Sequence, residues 1–208
     1  MKNKKYLIAA LKVTEEARYK VGIMEFVTHF FDYWLFKQTG LYPPSYVPDD
    51  EINTLFMSLS NHLAEGVREA VESDVLGQFL GECQFEKRGR NFYSTPESIS
   101  KILSAITIGN GGQSEPMSYY EPCAGTGVNA INWFLEMQGK GYSVKNLSMY
   151  LEDIDPVMVK ACFMQLLFYF ESIDEWPRLI SIQCIDSLTR RHHGLAYVGE
   201  GCEREYVV

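Results

Sequence analysis

Apolar residues in the first ninety positions recur with a helical period. Ile23, Phe26, Val27, Phe30, Phe31, Trp34 and Leu35 stand at i, i+3, i+4, i+7, i+8, i+11 and i+12, which is one stripe of an amphipathic helix. Glu25, His29 and Asp32 share the opposite face. Solvent-facing polarity accounts for that trio, and no metal site is expected. The segment GLYPPSYVPDD (40–50) breaks the pattern, because its three prolines cannot sit inside a helix. A second helical stripe, Leu55, Leu59, Leu63, Val67 and Val71, then runs towards DVLGQFLGE (74–82).

From about residue 92 the period changes. Ser94-Thr95-Pro96-Glu97 predicts a helix start, with Thr95 as cap, Pro96 in the first helical position and Glu97 complementing the dipole. That helix carries Ile99, Ile102, Leu103 and Ile106 and ends before GNGGQSEP. Next come MSYYEP as a strand, GVNAINWFLEMQ as a helix, LSMYLEDIDP as a strand, PVMVKACFMQLLFYFES as a helix and RLISIQCID as a third strand. A short fourth strand is expected at Leu195 to Val198. Alternating strands and helices predict a parallel sheet with helices on its faces. The expected organisation is a helical region over 1–90 and an α/β region over 91–208, shortened after about the fourth strand.

Composition narrows the class. The chain has 208 residues, 46% of them hydrophobic, enough for a sizeable core. Its net charge of -8 speaks against a free-standing nucleic-acid binder with a basic surface. Contact with DNA would need a partner protein or local patches such as Lys87-Arg88-Arg90 and Arg190-Arg191-His192-His193. The five cysteines (Cys83, Cys123, Cys162, Cys184, Cys202) form no CxxC pair, which points to a reducing compartment. The longest apolar stretch, Ala161 to Phe170, is far short of the roughly 20 residues that span a bilayer. A soluble cytoplasmic protein without membrane contact is expected.

Three strand ends carry the chemistry. After the first strand comes Glu121-Pro122-Cys123-Ala124-Gly125-Thr126-Gly127. A glycine turn between strand and helix bares backbone N–H groups and lets a cofactor approach. It is not GxGxxG, since Ala130 holds the third position, and it lacks the Lys-Ser/Thr pair of a phosphate-binding loop. A merely tight connection would use the same glycines. The second strand ends in Asp153 and Asp155, where a carboxylate can accept both hydroxyls of a ribose. Asp155 alone could equally be a helix cap. The third strand ends in Asp186-Ser187, an acid able to bond an adenine amino group or simply to close a turn.

The series NFYSTPESISKIL, YYEPCAGTG, LEDIDP and IQCIDSL resembles the S-adenosylmethionine (SAM) half of N6-adenine DNA methyltransferases. The likeness is greatest to the modification subunits of Type I restriction-modification systems, and it covers roughly residues 75 to 190. The resemblance implies a Rossmann-like SAM-dependent methyltransferase fold. By it, Tyr93, Thr95 and Pro96 close over the methionine end of SAM, and Glu121 with Pro122, Cys123, Ala124, Gly125, Thr126 and Gly127 forms the loop beneath. Asp153 becomes the ribose acid, Asp155 its neighbour, and Asp186 with Ser187 the adenine contact. It also implies DNA as a partner, and a specificity or catalytic partner subunit.

One part of the family pattern is missing. The Asn/Asp-Pro-Pro-aromatic motif that catalyses the transfer has no counterpart, since no Pro-Pro follows residue 44 and the last proline is Pro177. Catalytic residues are therefore unassigned. Three readings stay open: a methyltransferase completed by a partner, a catalytically inactive binding or regulatory protein, and another nucleotide-binding enzyme such as an NAD-dependent one.

Overall fold

The computed structural model describes residues 4–83, 94–108 and 117–200, and the backbone of 206–207. Tyr93 and the Lys87-Arg88-Arg90 cluster lie outside them. The chain divides into two compact units, Met1–Ser94 and Thr95–Val208.

The first unit is helical: α1 (Lys4–Glu16), α2 (Ile23–Thr39), α3 (Asp50–Glu69) and α4 (Val75–Glu82). The stripe expected on α2 is its buried face, through Phe26, Val27, Phe30, Phe31 and Leu35. On α3 the buried line is Ile52, Phe56, Leu59, Leu63 and Val67, rotated slightly from the expected one. Phe56 joins the two helices, its ring 5.1 Å from Phe26 and 5.7 Å from Phe30. α3 and α4 are each capped by an aspartate: Asp49 accepts from the Ile52 N–H at 2.8 Å, and Asp74 from the Gly77 N–H at 2.9 Å. His29 stacks on Tyr46 at 4.4 Å, an aromatic contact that gives this residue of the polar trio a packing role.

The second unit is mixed α/β. It runs α5 (Glu97–Thr107), β1 (Ser118–Glu121), α6 (Val128–Gly139), β2 (Ser148–Asp153), α7 (Pro156–Ile173), β3 (Leu179–Asp186), β4 (Arg191–Glu200) and β5 (Tyr206–Val207). The sheet order is β1-β2-β3-β4-β5. β1, β2 and β3 pair in parallel, whereas β4 runs antiparallel to β3 and β5 antiparallel to β4.

This corrects the expected all-parallel sheet at its fourth strand. Only Ser187 to Arg190 separate β3 from β4, and a parallel return needs a crossover of about a dozen residues or more. Asp186 builds the tight turn: its Oδ1 accepts from the Leu188 and Thr189 N–H groups at 3.0 and 3.1 Å. Its carbonyl accepts from the Arg190 N–H at 2.7 Å, and Arg190 takes a positive φ of 59°.

The helices also differ from expectation in where they lie. The order advances by one strand at each crossover, so two crossovers of one hand place α6 and α7 on the same face. Burial agrees: Met149, Leu151, Ile180 and Ile182 are buried, while Tyr120 and Tyr150 stand 54% and 40% exposed on the other side. Under the covered face, Tyr119 packs on Trp133 at 4.9 Å, Phe134 meets Phe170 edge-on at 5.1 Å, and Phe163 stacks on Tyr197 at 4.6 Å. By length and composition α7 could cross a membrane, yet 72% of it is buried inside the structure, so its apolar character serves the core.

α5 begins one residue later than its sequence predicts: Pro96 is the N-cap, and no side chain caps the helix. Its small residues Ser100 and Ser104 are buried, while Ile99, Ile102, Leu103 and Ile106 are exposed. Small side chains let two helices approach closely, and the Ser100 hydroxyl donates to the Val128 carbonyl of α6 at 3.3 Å.

Candidate functional site

The carboxyl ends of β1, β2 and β3 meet at one edge of the sheet, with the turn from Pro122 to Gly127 between β1 and α6. Gly125 and Gly127 both have positive φ, 54° and 90°. That conformation disfavours any residue with a Cβ. Gly127 is needed for a second reason, because a Cβ there would stand 3.0 Å from the Cys162 sulfur on α7. The bare backbone at Gly127 thus serves the packing of α6 on α7. Gly125 is the glycine whose N–H is held from outside the turn.

Asp153 holds it. Asp153 Oδ2 accepts from the Gly125 N–H at 2.9 Å, and Oδ1 accepts from the Asp155 N–H at 2.9 Å. Burial, opposed by those backbone donors, keeps this carboxyl above its usual range. Asp155 caps α7, accepting from the Val157 N–H at 2.8 Å. The rest of the turn is pinned from both sides. The Ala124 N–H donates to the Glu152 carbonyl at 2.9 Å, and the Thr126 carbonyl accepts from the buried Gln165 side chain at 2.9 Å.

Glu121 points under the turn into the space between β1 and α6. Tyr119 donates its hydroxyl to Oε2 at 2.8 Å and Asn129 donates Nδ2 to Oε1 at 2.7 Å. Burial raises the Glu121 carboxyl in spite of these donors. Beside it, the Asn129 Oδ1 atom is buried with no hydrogen-bond partner. A buried acceptor left open costs about 1–3 kcal/mol unless a donor reaches it. Cys123 is exposed, but desolvation and the carboxylates of Asp153, Glu121 and Glu152 hold its thiol above the ordinary value. It is a poor candidate for a nucleophile.

On the other side of the strand ends lies a cluster that sequence reasoning missed. Glu152 accepts from Arg190 through both guanidinium nitrogens at 2.7 and 2.9 Å, and from the Tyr120 hydroxyl at 2.9 Å. The Ser187 hydroxyl lies 3.0 Å from the same carboxylate and 2.6 Å from the Pro122 carbonyl, tying the β3 exit to the glycine turn. Burial works to raise the Glu152 carboxyl, and these donors together hold it below its usual range. Glu152, Tyr120, Gln165 and Asn129 gave no signal along the chain, and Arg190 gave one only as part of a basic patch, because each acts across at least one strand or helix.

The structure therefore brings Glu121, Pro122, Cys123, Ala124, Gly125, Thr126, Gly127, Asp153, Asp155, Asp186 and Ser187 to one sheet edge. Thr95 and Pro96 stand at the amino end of α5, one turn from the Ser100–Val128 contact. Asp186 closes its own turn, one of the two uses read from the sequence. Its carboxylate is folded onto its own turn, and the Thr189 hydroxyl and backbone amides keep it below the usual range.

The fold and this edge define the class: an α/β unit with a glycine turn and acids at the ends of parallel strands. No family model matches the chain, and a search of curated proteins finds no match.

Proposed function

We propose that the Thr95–Val208 unit binds S-adenosylmethionine at the edge formed by β1, β2 and β3, as a relative of N6-adenine DNA methyltransferases. The observation that carries this reading is the Asp153–Gly125 hydrogen bond, which fixes the glycine turn against the end of the neighbouring strand. A preset turn leaves the ligand less ordering to impose when it binds. Each Asp153 oxygen accepts one backbone bond and keeps lone-pair capacity for a ribose hydroxyl. The Asn129 Oδ1 acceptor next to the Glu121 carboxyl suits a donor such as the ligand's ammonium.

S-adenosylmethionine would supply an electrophilic methyl group. The chain's own residues orient the ligand through the glycine turn, Asp153 and the Glu121–Asn129 pair. Methyl transfer to adenine in DNA needs acceptors for the target amine, and these come from a partner chain in this reading. The return of β4 along β3 favours that division of labour, because Gly199 and Glu200 end an antiparallel strand rather than a parallel one at the ligand edge. The same observation favours a second reading, a catalytically inactive protein that binds the cofactor and regulates a restriction-modification or other DNA-related partner.

Equilibrium dialysis with tritiated SAM tests the binding. The intact chain retains label, and Asp153→Ala loses at least tenfold in affinity. Equal retention by both would overturn the assignment. Transfer of tritium to unmethylated DNA, with and without candidate partners, separates the two readings; incorporation by the lone chain would contradict the need for a partner.

A further inference from the structure

Among the described residues, the parallel strands have one face covered by α6 and α7 and one face left bare at Tyr120 and Tyr150. Parallel strands packed by helices on both sides read as nearly continuous apolar runs. Here β2 alternates in polarity, with Ser148, Tyr150 and Glu152 facing away from α7 and Met149 and Leu151 towards it; of the outward three, Tyr150 is exposed while Ser148 and Glu152 are buried. On β3 the outward residues are Ser181 and Gln183, paired with Tyr150 and Glu152. The pattern suits exposure to solvent or to a polar ligand, not to another layer of aliphatic helices.

Two aromatic rings dominate this bare face. Tyr120 and Tyr150 are register partners on adjacent strands, the most exposed residues of β1 and β2 apart from Ser118 at the β1 start. Neighbouring strands lie about 4.8 Å apart, and the Tyr120 ring leans towards the carboxyl end, its hydroxyl donating to Glu152 at 2.9 Å. A guanidinium stands at each end of the row. Arg178 hydrogen-bonds the Ser148 hydroxyl at the amino end, and Arg190 binds Glu152 and reaches the Tyr120 hydroxyl at the carboxyl end. Ser148 and Glu152 are four residues apart, roughly 13 Å along an extended strand. Among the described residues, the carboxylates here are Glu152, whose side chain is 9% exposed and already paired by Arg190, and Glu200, opposite Leu179.

We propose that this face binds single-stranded nucleic acid, with bases stacking on Tyr120 and Tyr150 and the backbone passing between Arg178 and Arg190. Aromatic rings on an open sheet accept unpaired bases because every base has a π-face. The span between the two arginines fits two or three nucleotides. Since the chain is acidic overall, stacking rather than charge carries the affinity, and its salt dependence is shallow. The proposal does not rest on cofactor binding, which uses the glycine turn.

Fluorescence anisotropy with labelled dT12, rU12 and a 12-base-pair DNA duplex tests it on the full chain. Single strands are expected to bind and the duplex to bind much more weakly; the dT12 and rU12 arms tell DNA from RNA. Tyr150→Ala should weaken binding about tenfold, from the loss of one stacked base. Tyr150→Phe should keep it, which distinguishes stacking from damage to the fold. Asp153→Ala should leave oligonucleotide binding unchanged, so its outcome is separate from that of the SAM experiment. Duplex binding as tight as single-strand binding, no binding of either single strand, or equal affinity for the parent and Tyr150→Ala would overturn the proposal. Self-association through this face, reversed by Tyr150→Ala in sedimentation, would assign the face to a second copy and also overturn it.

Discussion

The two faces of the sheet are built from the same strands and do opposite work. Towards α6 and α7 stand Met149, Leu151, Ile180 and Ile182, all buried, under a layer of packed rings. One residue along, Tyr150, Ser181 and Gln183 face the other way among polar neighbours. The comparison teaches that stability and recognition are separated by a single step of the strand. Substitutions on the first face should unfold the unit, whereas those on the second should alter what it binds.

The largest effect expected is on the covered face. Phe163→Ala removes a fully buried ring stacked on Tyr197 and should cost about 3–5 kcal/mol in urea denaturation. A loss below 1 kcal/mol would mean that this face is not the core. Next comes Gly127→Ala, which forces a Cβ into a left-handed backbone and against the Cys162 sulfur; about 1–3 kcal/mol should be lost.

A change of slope follows from Glu121. Its folded-state carboxyl titrates above the unfolded value because it is buried, so its contribution to stability is complete below the unfolded pKa. That contribution disappears as pH rises through the folded value. Glu121→Gln abolishes the titration. The variant should therefore gain on the parent in stability as pH is raised from 4 towards 7. Parallel stability curves for the two proteins would contradict this. The smallest effect belongs to the bare face: Tyr150→Ala should change stability by no more than about 0.5 kcal/mol. A larger loss would show that the ring is part of the core and would erase the contrast.

Much of this was legible along the chain where the signal was local. The strands β1 to β3 and the helices between them announce themselves through alternation, the glycine turn and Asp155-Pro156, and all appear within a residue or two of their predicted bounds except the end of β2, which stops at Asp153, three residues early. The alternation of Ser-Met-Tyr-Leu-Glu-Asp left room for an outward Tyr150, although alternating strands and helices predicted helices on the sheet's faces. The reversal at β4 was less visible, because Asp186-Ser187 reads equally as a ligand contact and as a turn. Only the four-residue span to Arg191 separates the two. Periodicity also predicted α5 as a helix without revealing which side packs, and it is the serine side that does. Asp153 was picked out as an acid at a strand end, but its grip on Gly125 joins residues 28 positions apart. Contacts of that range come from the fold.

Calorimetric titration of the full chain with SAM, its demethylated product and NAD tests the central claim most directly. Saturable heat with SAM and with the demethylated product, none with NAD, and loss of the signal in Asp153→Ala are predicted. No heat at millimolar SAM, or equal heat with NAD, would contradict the assignment of this sheet edge to S-adenosylmethionine.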